Sequence, residues 1–192
     1  EEWAFPPSTS STLQEGLMWF NSDSSTLKGY GTAAGVPAGT WATGVSLNTG
    51  RFGGSFSHNG PITATIYFGG SEPSVTGKTE SYNGTAYTEV ADMGTARTYL
   101  SGGAGTQTAA LGAGGEPGRT DNTQVWDGSS WSEQSNLNVA KSLMAQTGSQ
   151  TLAVAVGGQQ PSAPTVYVQH EAWDGSSWSE TTEMSTGRYG GF

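Results

Sequence analysis

Two aromatic residues five positions apart recur down this chain at Tyr82 and Tyr87, Trp126 and Trp131, and Trp173 and Trp178. The last two pairs sit in an identical octapeptide, WDGSSWSE, at 126–133 and 173–180. From the second aromatic a common register runs downstream. Six residues on stand Met93, Leu137 and Met184, and ten residues on stand Arg97, Lys141 and Arg188. Counting from Trp41 gives Leu47 and Arg51, a fourth member of the same series. Upstream, a Gly-Gly pair closes each apolar run, at Gly69-Gly70, Gly114-Gly115 and Gly157-Gly158. A repeat of 43 to 47 residues constrains the fold more than any other feature, because each unit must be one supersecondary element that buries its apolar faces against its neighbours.

Within each unit the pattern predicts four short strands. A small-residue strand follows the cation (GGSFSH, YLSGGAG, SLMAQTG) and ends at a tight turn. The apolar run into Gly-Gly is the second strand, the third ends at the first aromatic, and the second aromatic opens the fourth. Asn83-Gly84, Asp127-Gly128 and Asp174-Gly175 between the aromatics are hairpin signals, since such dipeptides accept positive φ. Runs such as Leu152–Val156 are apolar at every position, so both faces are expected to be covered by other sheets. No segment carries a sustained helical period beside this pattern. The expected fold is all-β: a β-propeller of four-stranded antiparallel blades, three complete (approximately 51–87, 97–131 and 141–178) with partial blades on either side.

The Gly-Gly pair, then an aromatic, then Trp, across residues 41–192, resembles the Kelch repeat. The texture WDGSSWSE…LN-x-A-[RK]…GTQTAAL…GG further resembles Kelch-like arrays in virion structural proteins of tailed phages, marine ones in particular. Residues 1–3 match the end of a preceding blade strand, with Trp3 as its first aromatic. Residues 4–40 then intervene before Trp41 and are expected to be an insertion. Within it Leu17–Asn21 and Thr26–Gly31 read as a hairpin around Ser22–Ser25. The string GLMWFN…LKGY resembles a short module of phage tail-fibre and tail-tip proteins. Trp19, Phe20 and Tyr30 are then either an aromatic platform for a glycan or the surface that fixes the hairpin to the propeller.

Composition narrows the chemistry. There are 7 Lys and Arg against 16 Asp and Glu, a formal net charge of −9, and the cations are scattered. A nucleic-acid surface needs clustered cations, so none is expected. No apolar run is long enough for a membrane helix. There is no cysteine, which removes disulfides, thiol catalysis and the cysteine–tyrosine cross-link that Kelch copper-radical oxidases such as galactose oxidase require. His58 and His170 fall at different phases of the repeat and in no zinc-ligand spacing. Asp127 and Asp174 bring one carboxylate each to their loops, too few for calcium, and read as turn residues. Arg51, Arg97, Lys141 and Arg188 form a rotationally equivalent set. They either ring an anionic ligand or bind backbone carbonyls of a neighbouring blade and pin the link.

The expectation is therefore a non-enzymatic virion protein without cofactor or metal, serving in a tail fibre, in attachment or in surface decoration. It would touch other virion proteins or a host receptor, glycans included, through the variable segments 71–81, 116–125 and 159–172, and would be assembled into an oligomer. The alternative is a secreted bacterial glycan-binding or sugar-processing propeller with the cation ring as its pocket. The structural positions expected to carry the fold are Gly69, Gly70, Gly114, Gly115, Gly157 and Gly158; Trp41, Tyr87, Trp131 and Trp178; and the four cations. Because the partial blades lack strands, further repeats or a neighbouring subunit are expected to complete them.

Overall fold

A computed structural model describes the backbone of residues 17–21 and 26–30 and both backbone and side chains of residues 43–100, 102–159 and 166–190. The chain divides into two compact units, residues 1–44 and 45–192. In the first, β1 (Leu17–Asn21) pairs antiparallel with β2 (Thr26–Tyr30), Leu17 opposite Tyr30 and Asn21 opposite Thr26. Trp3 and Trp41 lie outside the described residues.

The second unit is all-β, with no helix among the described residues. Its strands are β3 (Ser55–Phe56), β4 (Thr65–Phe68), β5 (Ser71–Glu72), β6 (Ser74–Val75), β7 (Thr79–Tyr82), β8 (Tyr87–Val90), β9 (Ala104–Thr106), β10 (Ala109–Ala113), β11 (Thr123–Trp126), β12 (Trp131–Gln134), β13 (Ala145–Gly148), β14 (Ala153–Val156), β15 (His170–Trp173) and β16 (Trp178–Glu180). They form three four-stranded antiparallel sheets in the orders β3-β4-β7-β8, β9-β10-β11-β12 and β13-β14-β15-β16, while β5 and β6 make a small hairpin inside a loop. Each sheet is a meander, and the second strand of each ends immediately before its Gly-Gly pair. Among the described residues the three sheets do not close into a ring.

The aromatic spacing is explained by register. Tyr82 lies opposite Tyr87, Trp126 opposite Trp131 and Trp173 opposite Trp178, and the paired rings are 4.7, 5.6 and 5.4 Å apart. Four residues join each pair. In them only Gly84, Gly128 and Gly175 have positive φ, so Asn83 and the two aspartates do not supply the left-handed backbone expected of them. The Asp127 and Asp174 carboxylates instead accept the amides two and three residues on, at 2.8 Å each. This is side-chain turn chemistry rather than a two-residue hairpin.

The sheets pack face to face. Ile66 and Phe68 of the first sheet meet Ala110 and Trp126 of the second, with Trp131 against their edge. Leu111 and Ala113 on the other face of the second sheet meet Ala153, Ala155, Trp173 and Trp178 of the third. Each indole of the fourth strands also reaches back across the interface: Trp131 Nε1 donates to Thr79 Oγ1 and Trp178 Nε1 to Thr123 Oγ1, both at 3.0 Å. Gln107 and Gln150 in the first turns likewise donate to the carbonyls of Tyr82 and Trp126, which end the third strands of the preceding sheets. One sequence expectation fails here. Leu152–Val156 is apolar throughout, but only Ala153 and Ala155 are buried, because among the described residues of this unit no further sheet covers the Val154 and Val156 side.

The first strands converge. Ser57 bridges Gly103 in parallel, Asn59 N donates to Gly105 O at 2.8 Å, and Asn59 Nδ2 donates to Gly148 O at 2.6 Å. One turn of the first sheet thus touches both of the other sheets. The aromatic hairpins lie at the opposite, outer edges of the meanders.

Candidate functional site

The repeated cations stand at equivalent places around the sheets: Arg97 and Lys141 in the links between one sheet and the next, Arg51 just before the first sheet and Arg188 after the third. Side chain and backbone do different things there.

The side chains point into their own sheets. Arg51 Nη1 lies 2.9 Å from Glu80 Oε1, and Lys141 Nζ lies 2.9 Å from Glu171 Oε1, with all four side chains fully buried. Arg51 also stacks on Tyr67, its guanidinium carbon 4.9 Å from the ring centre. The second carboxylate oxygen of each glutamate is held as well. Asn48 donates its backbone and side-chain amides to Glu80 Oε2, at 2.8 and 3.0 Å, and Asn138 does the same to Glu171 Oε2, at 2.7 and 3.1 Å.

In the middle sheet the partner is Gln124, and the solution changes with it. Arg97 Nη1 donates to the carbonyls of Gly114 (2.8 Å) and Asn122 (2.7 Å), while Nη2 donates to Gly112 O (3.4 Å) and Gln124 Oε1 (3.2 Å). Gln124 passes the interaction on, donating to Glu133 at 3.3 Å. Burial pushes the Arg97 guanidinium down from its usual value to about 10, with Glu133 pulling it partly back. It is therefore a cation at neutral pH. Gly94 stands where the other two sheets have asparagine, and a Cβ there would come within 2.9 Å of Gln124 Nε2. Gln for Glu and Gly for Asn are thus one linked change.

The backbone of the same residues binds the preceding sheet. The amides of Gly70, Gly115 and Gly158 donate to the carbonyls of Arg97, Lys141 and Arg188 at 2.8, 3.0 and 2.9 Å. This is what the Gly-Gly pairs are for. All six glycines have positive φ, and a Cβ on Gly69, Gly114 or Gly157 would stand 2.5–2.6 Å from the carbonyl oxygen of the next cation. Carbonyls of a neighbouring sheet were an expected target of the cationic groups; the contact between sheets runs instead through the cations' own carbonyls. Arg188, which is exposed, keeps only the backbone half of the pattern.

Two residues after each cation the chain turns left-handed: φ is +68° at Gly53, +51° at Tyr99, +54° at Leu143 and +67° at Gly190. These four are linked in series. Tyr99 N donates to Gly53 O (2.6 Å), Leu143 N to Tyr99 O (3.4 Å) and Gly190 N to Leu143 O (2.8 Å). A left-handed tyrosine or leucine costs about 1–2 kcal/mol, which the series of bonds offsets. A cavity of about 310 Å³ opens beside this ladder, bounded by Gly53, Phe56, His58, Tyr99, Gly102 and Leu143.

The remaining candidates separate. His58 Nδ1 bonds Gly103 O at 2.7 Å, and His170 begins β15 in the third sheet, so the two histidines are not brought together. Among the described residues no group of three His, Asp or Glu side chains is placed to hold a metal. The hydrogen bonds from Ser129 and Ser130 hold the Asp127 carboxyl down at about 2, and those from Ser176 and Ser177 do the same for Asp174. Trp19 and Phe20 lie on β1 and Tyr30 on β2. Exposed aromatic surface in the second unit includes Phe52 and Tyr99, whose rings are 6.3 Å apart, and Tyr189.

Sequence reasoning missed Glu80, Gln124 and Glu171. The signal was present: each stands seven residues before the second aromatic. The glutamine in the middle copy hides the charge pattern. In comparisons with known proteins, the chain matches no family model and no curated protein.

Proposed function

We propose that the three sheets are consecutive blades of a Kelch-like β-propeller, and that the chain is a non-enzymatic structural or attachment protein of a tailed-phage virion. The blade reading is supported by the convergent first strands and by the ladder from Gly53 to Gly190, in which each repeat donates to the one before it at an equivalent residue. A stack of flat sheets has no reason to bring a turn of the first within hydrogen-bonding distance of the third.

The observation that carries the functional reading is the fate of the charges at the repeated positions. Arg51, Arg97 and Lys141 are consumed inside their sheets, so they offer no ring of cations to a sugar acid or phosphate. That weighs against a glycan-processing pocket built on the cation set. What differs from repeat to repeat is the segment between Gly-Gly and the next sheet strand: the hairpin 71–75, the turn at 116–120 and, by sequence length, the longer stretch from 159. A rigid repeated frame with dissimilar loops on one side suits attachment to a host surface or to other virion proteins. Virion and extracellular placement follow from the same reading.

Immunoelectron microscopy tests it. Antibody raised against residues 45–192 is expected to label intact phage particles from the source material, and its Fab fragments to slow adsorption to the host. Particles that carry no label, beside a soluble protein in the same lysate that does, overturn the reading.

A further inference from the structure

The three sheets expose two unlike end faces, and the face of the third sheet carries specific instructions about what belongs on it. In the first two sheets the residues three and one before the first glycine are Ile66 and Phe68, then Leu111 and Ala113, all four fully buried by the sheet that follows. In the third sheet the same positions are Val154 and Val156, half-buried, with Leu152 beside them 67% exposed. Leu152, Val154, Ala172 and Trp173 line an open apolar groove of about 340 Å³. The link that would lead into a following sheet is already in place: Gly158 N bonds Arg188 O and Gly190 N bonds Leu143 O, as at the two earlier handovers.

The identity of the occupant can be read from a size exchange. Three residues after the cation, the second and third sheets carry Leu100 and Met144, both buried between sheets. Their companions two residues before the first glycine are small, Gly112 and Ala155. The first sheet reverses this. Gly54 stands at the first position and Tyr67 at the second; a Cβ on Gly54 would lie 2.5 Å from the Tyr67 ring, and Gly54 N donates to the Tyr67 hydroxyl at 3.1 Å. A large residue fits at one place or the other, not at both. The sequence after the third sheet reads Arg188-Tyr189-Gly190-Gly191, which matches Arg51-Phe52-Gly53-Gly54 and not Arg97-Thr98-Tyr99-Leu100 or Lys141-Ser142-Leu143-Met144.

We infer that the Val154 and Val156 face of the third sheet is an interface for a fourth four-stranded sheet of the first sheet's kind. That sheet is entered through Arg188–Gly191 and carries a bulky aromatic two residues before its own first glycine. This rests on the blade reading above and adds which partner the open face takes.

The test extends the chain after Gly191 with a second copy of its own residues 55–96. The extended chain is expected to melt cooperatively at least about 5 °C above the parent, since a repeat gains most of its stability from the neighbouring interface, and to protect the added repeat from protease. Val154→Asp is expected to abolish the gain in the extended chain while leaving the parent's melting within about 1 °C, because the parent has no sheet to lose. Replacing the added copy of Tyr67 by glycine is expected to remove most of the gain. An added repeat that stays protease-sensitive with no change in melting overturns the inference, as does a gain that survives Val154→Asp. A parent chain that already dimerises at micromolar concentration, and dissociates with Val154→Asp, also overturns it by making a second copy the occupant. Docking of the added repeat together with unlabelled phage particles would leave this inference standing and remove only the virion reading.

Discussion

Replacing Glu171 by glutamine probes the handover between sheets with the loss of a single charge. Glu171 is fully buried, 2.9 Å from the equally buried Lys141 ammonium through Oε1, and holds the two amides of Asn138 through Oε2. Glutamine keeps the volume and one carbonyl oxygen but removes the charge. A buried ion pair adds little over an apolar pair of the same size, whereas breaking one from a single side strands the other charge and costs about 3–5 kcal/mol. For a unit of this size that corresponds to a fall in Tm of roughly 10 °C, at about 2–4 °C per kcal/mol. Thermal and urea denaturation followed by tryptophan fluorescence read it directly, because Trp173 and Trp178 flank the site on β15 and β16.

The middle sheet supplies the control, since it already lives with glutamine at this position. There the cation is an arginine that reaches three backbone carbonyls, the asparagine is Gly94, and Glu133 stands behind Gln124. The third sheet has Glu180 at the place of Glu133. The triple variant Glu171→Gln, Lys141→Arg, Asn138→Gly is therefore expected to recover at least half of the loss. If Glu171→Gln melts within about 1 °C of the parent, the ion pair does not hold the link. If the triple variant is no better than the single one, the two arrangements are not the interchangeable solutions described here.

Other perturbations test separate parts of the frame. Trp178→Ala removes a side chain that is 6% exposed and bonded to Thr123 across the interface, and is expected to cost about 3–5 kcal/mol by denaturation. Gly114→Ala puts a methyl group 2.5 Å from Lys141 O at a residue with φ of +66°, and is expected to be worse than the same change at Gly118, where φ is +78° but the space is open. Comparing their melting temperatures separates close approach from backbone strain. The Asp127 and Asp174 carboxyls, held at about 2 against a usual value near 3.9, contribute stability that is fully present above pH 4 and lost as the pH falls toward 2. Carboxyl and amide NMR titration is expected to show the Ser129, Ser130, Ser176 and Ser177 amides shifting in that window, and midpoints near 4 would refute it.

Much of this frame was legible because its signals are periodic. A strand that must pair with its neighbour in a fixed register repeats its aromatics at a fixed spacing, so the paired aromatics, with the Gly-Gly pairs and the cations, placed the four strands of each sheet. The Gly-Gly pairs were legible for the same reason, though not their purpose, which depends on the carbonyl of a residue some 26 to 31 positions further on. The partners of the cations were harder. Glu80 and Glu171 sit in strands where a carboxylate looks like a solvated residue, and only the fold turns them inward. Leu152–Val156 was misread for the opposite reason: apolar composition reports what a strand is suited to face, not what is present to face it.

That last distinction connects the two halves of the molecule's behaviour. Among the described residues the second sheet has another sheet packed on each of its faces, and its core residues Ala104, Ala110, Leu111 and Ala113 are completely buried. It also has the least conventional ionic centre, with four bonds to one guanidinium and no carboxylate in direct contact. Hydrogen bonds to carbonyls lose less on desolvation than a charged pair does, because only one ion has to leave water. Burial alone does not separate the two designs, because Arg51, Glu80, Lys141 and Glu171 in the outer sheets are as completely buried as Arg97. Glu171 lies opposite Ala155 in the register, on the face already packed against the second sheet. Covering the Val154 face with a further sheet is therefore expected to leave the cost of the Lys141–Glu171 pair unchanged, and the triple variant is expected to rank the same way against the parent in the extended chain. A ranking that reverses between the two chains would refute that separation of the ionic centre from the open face.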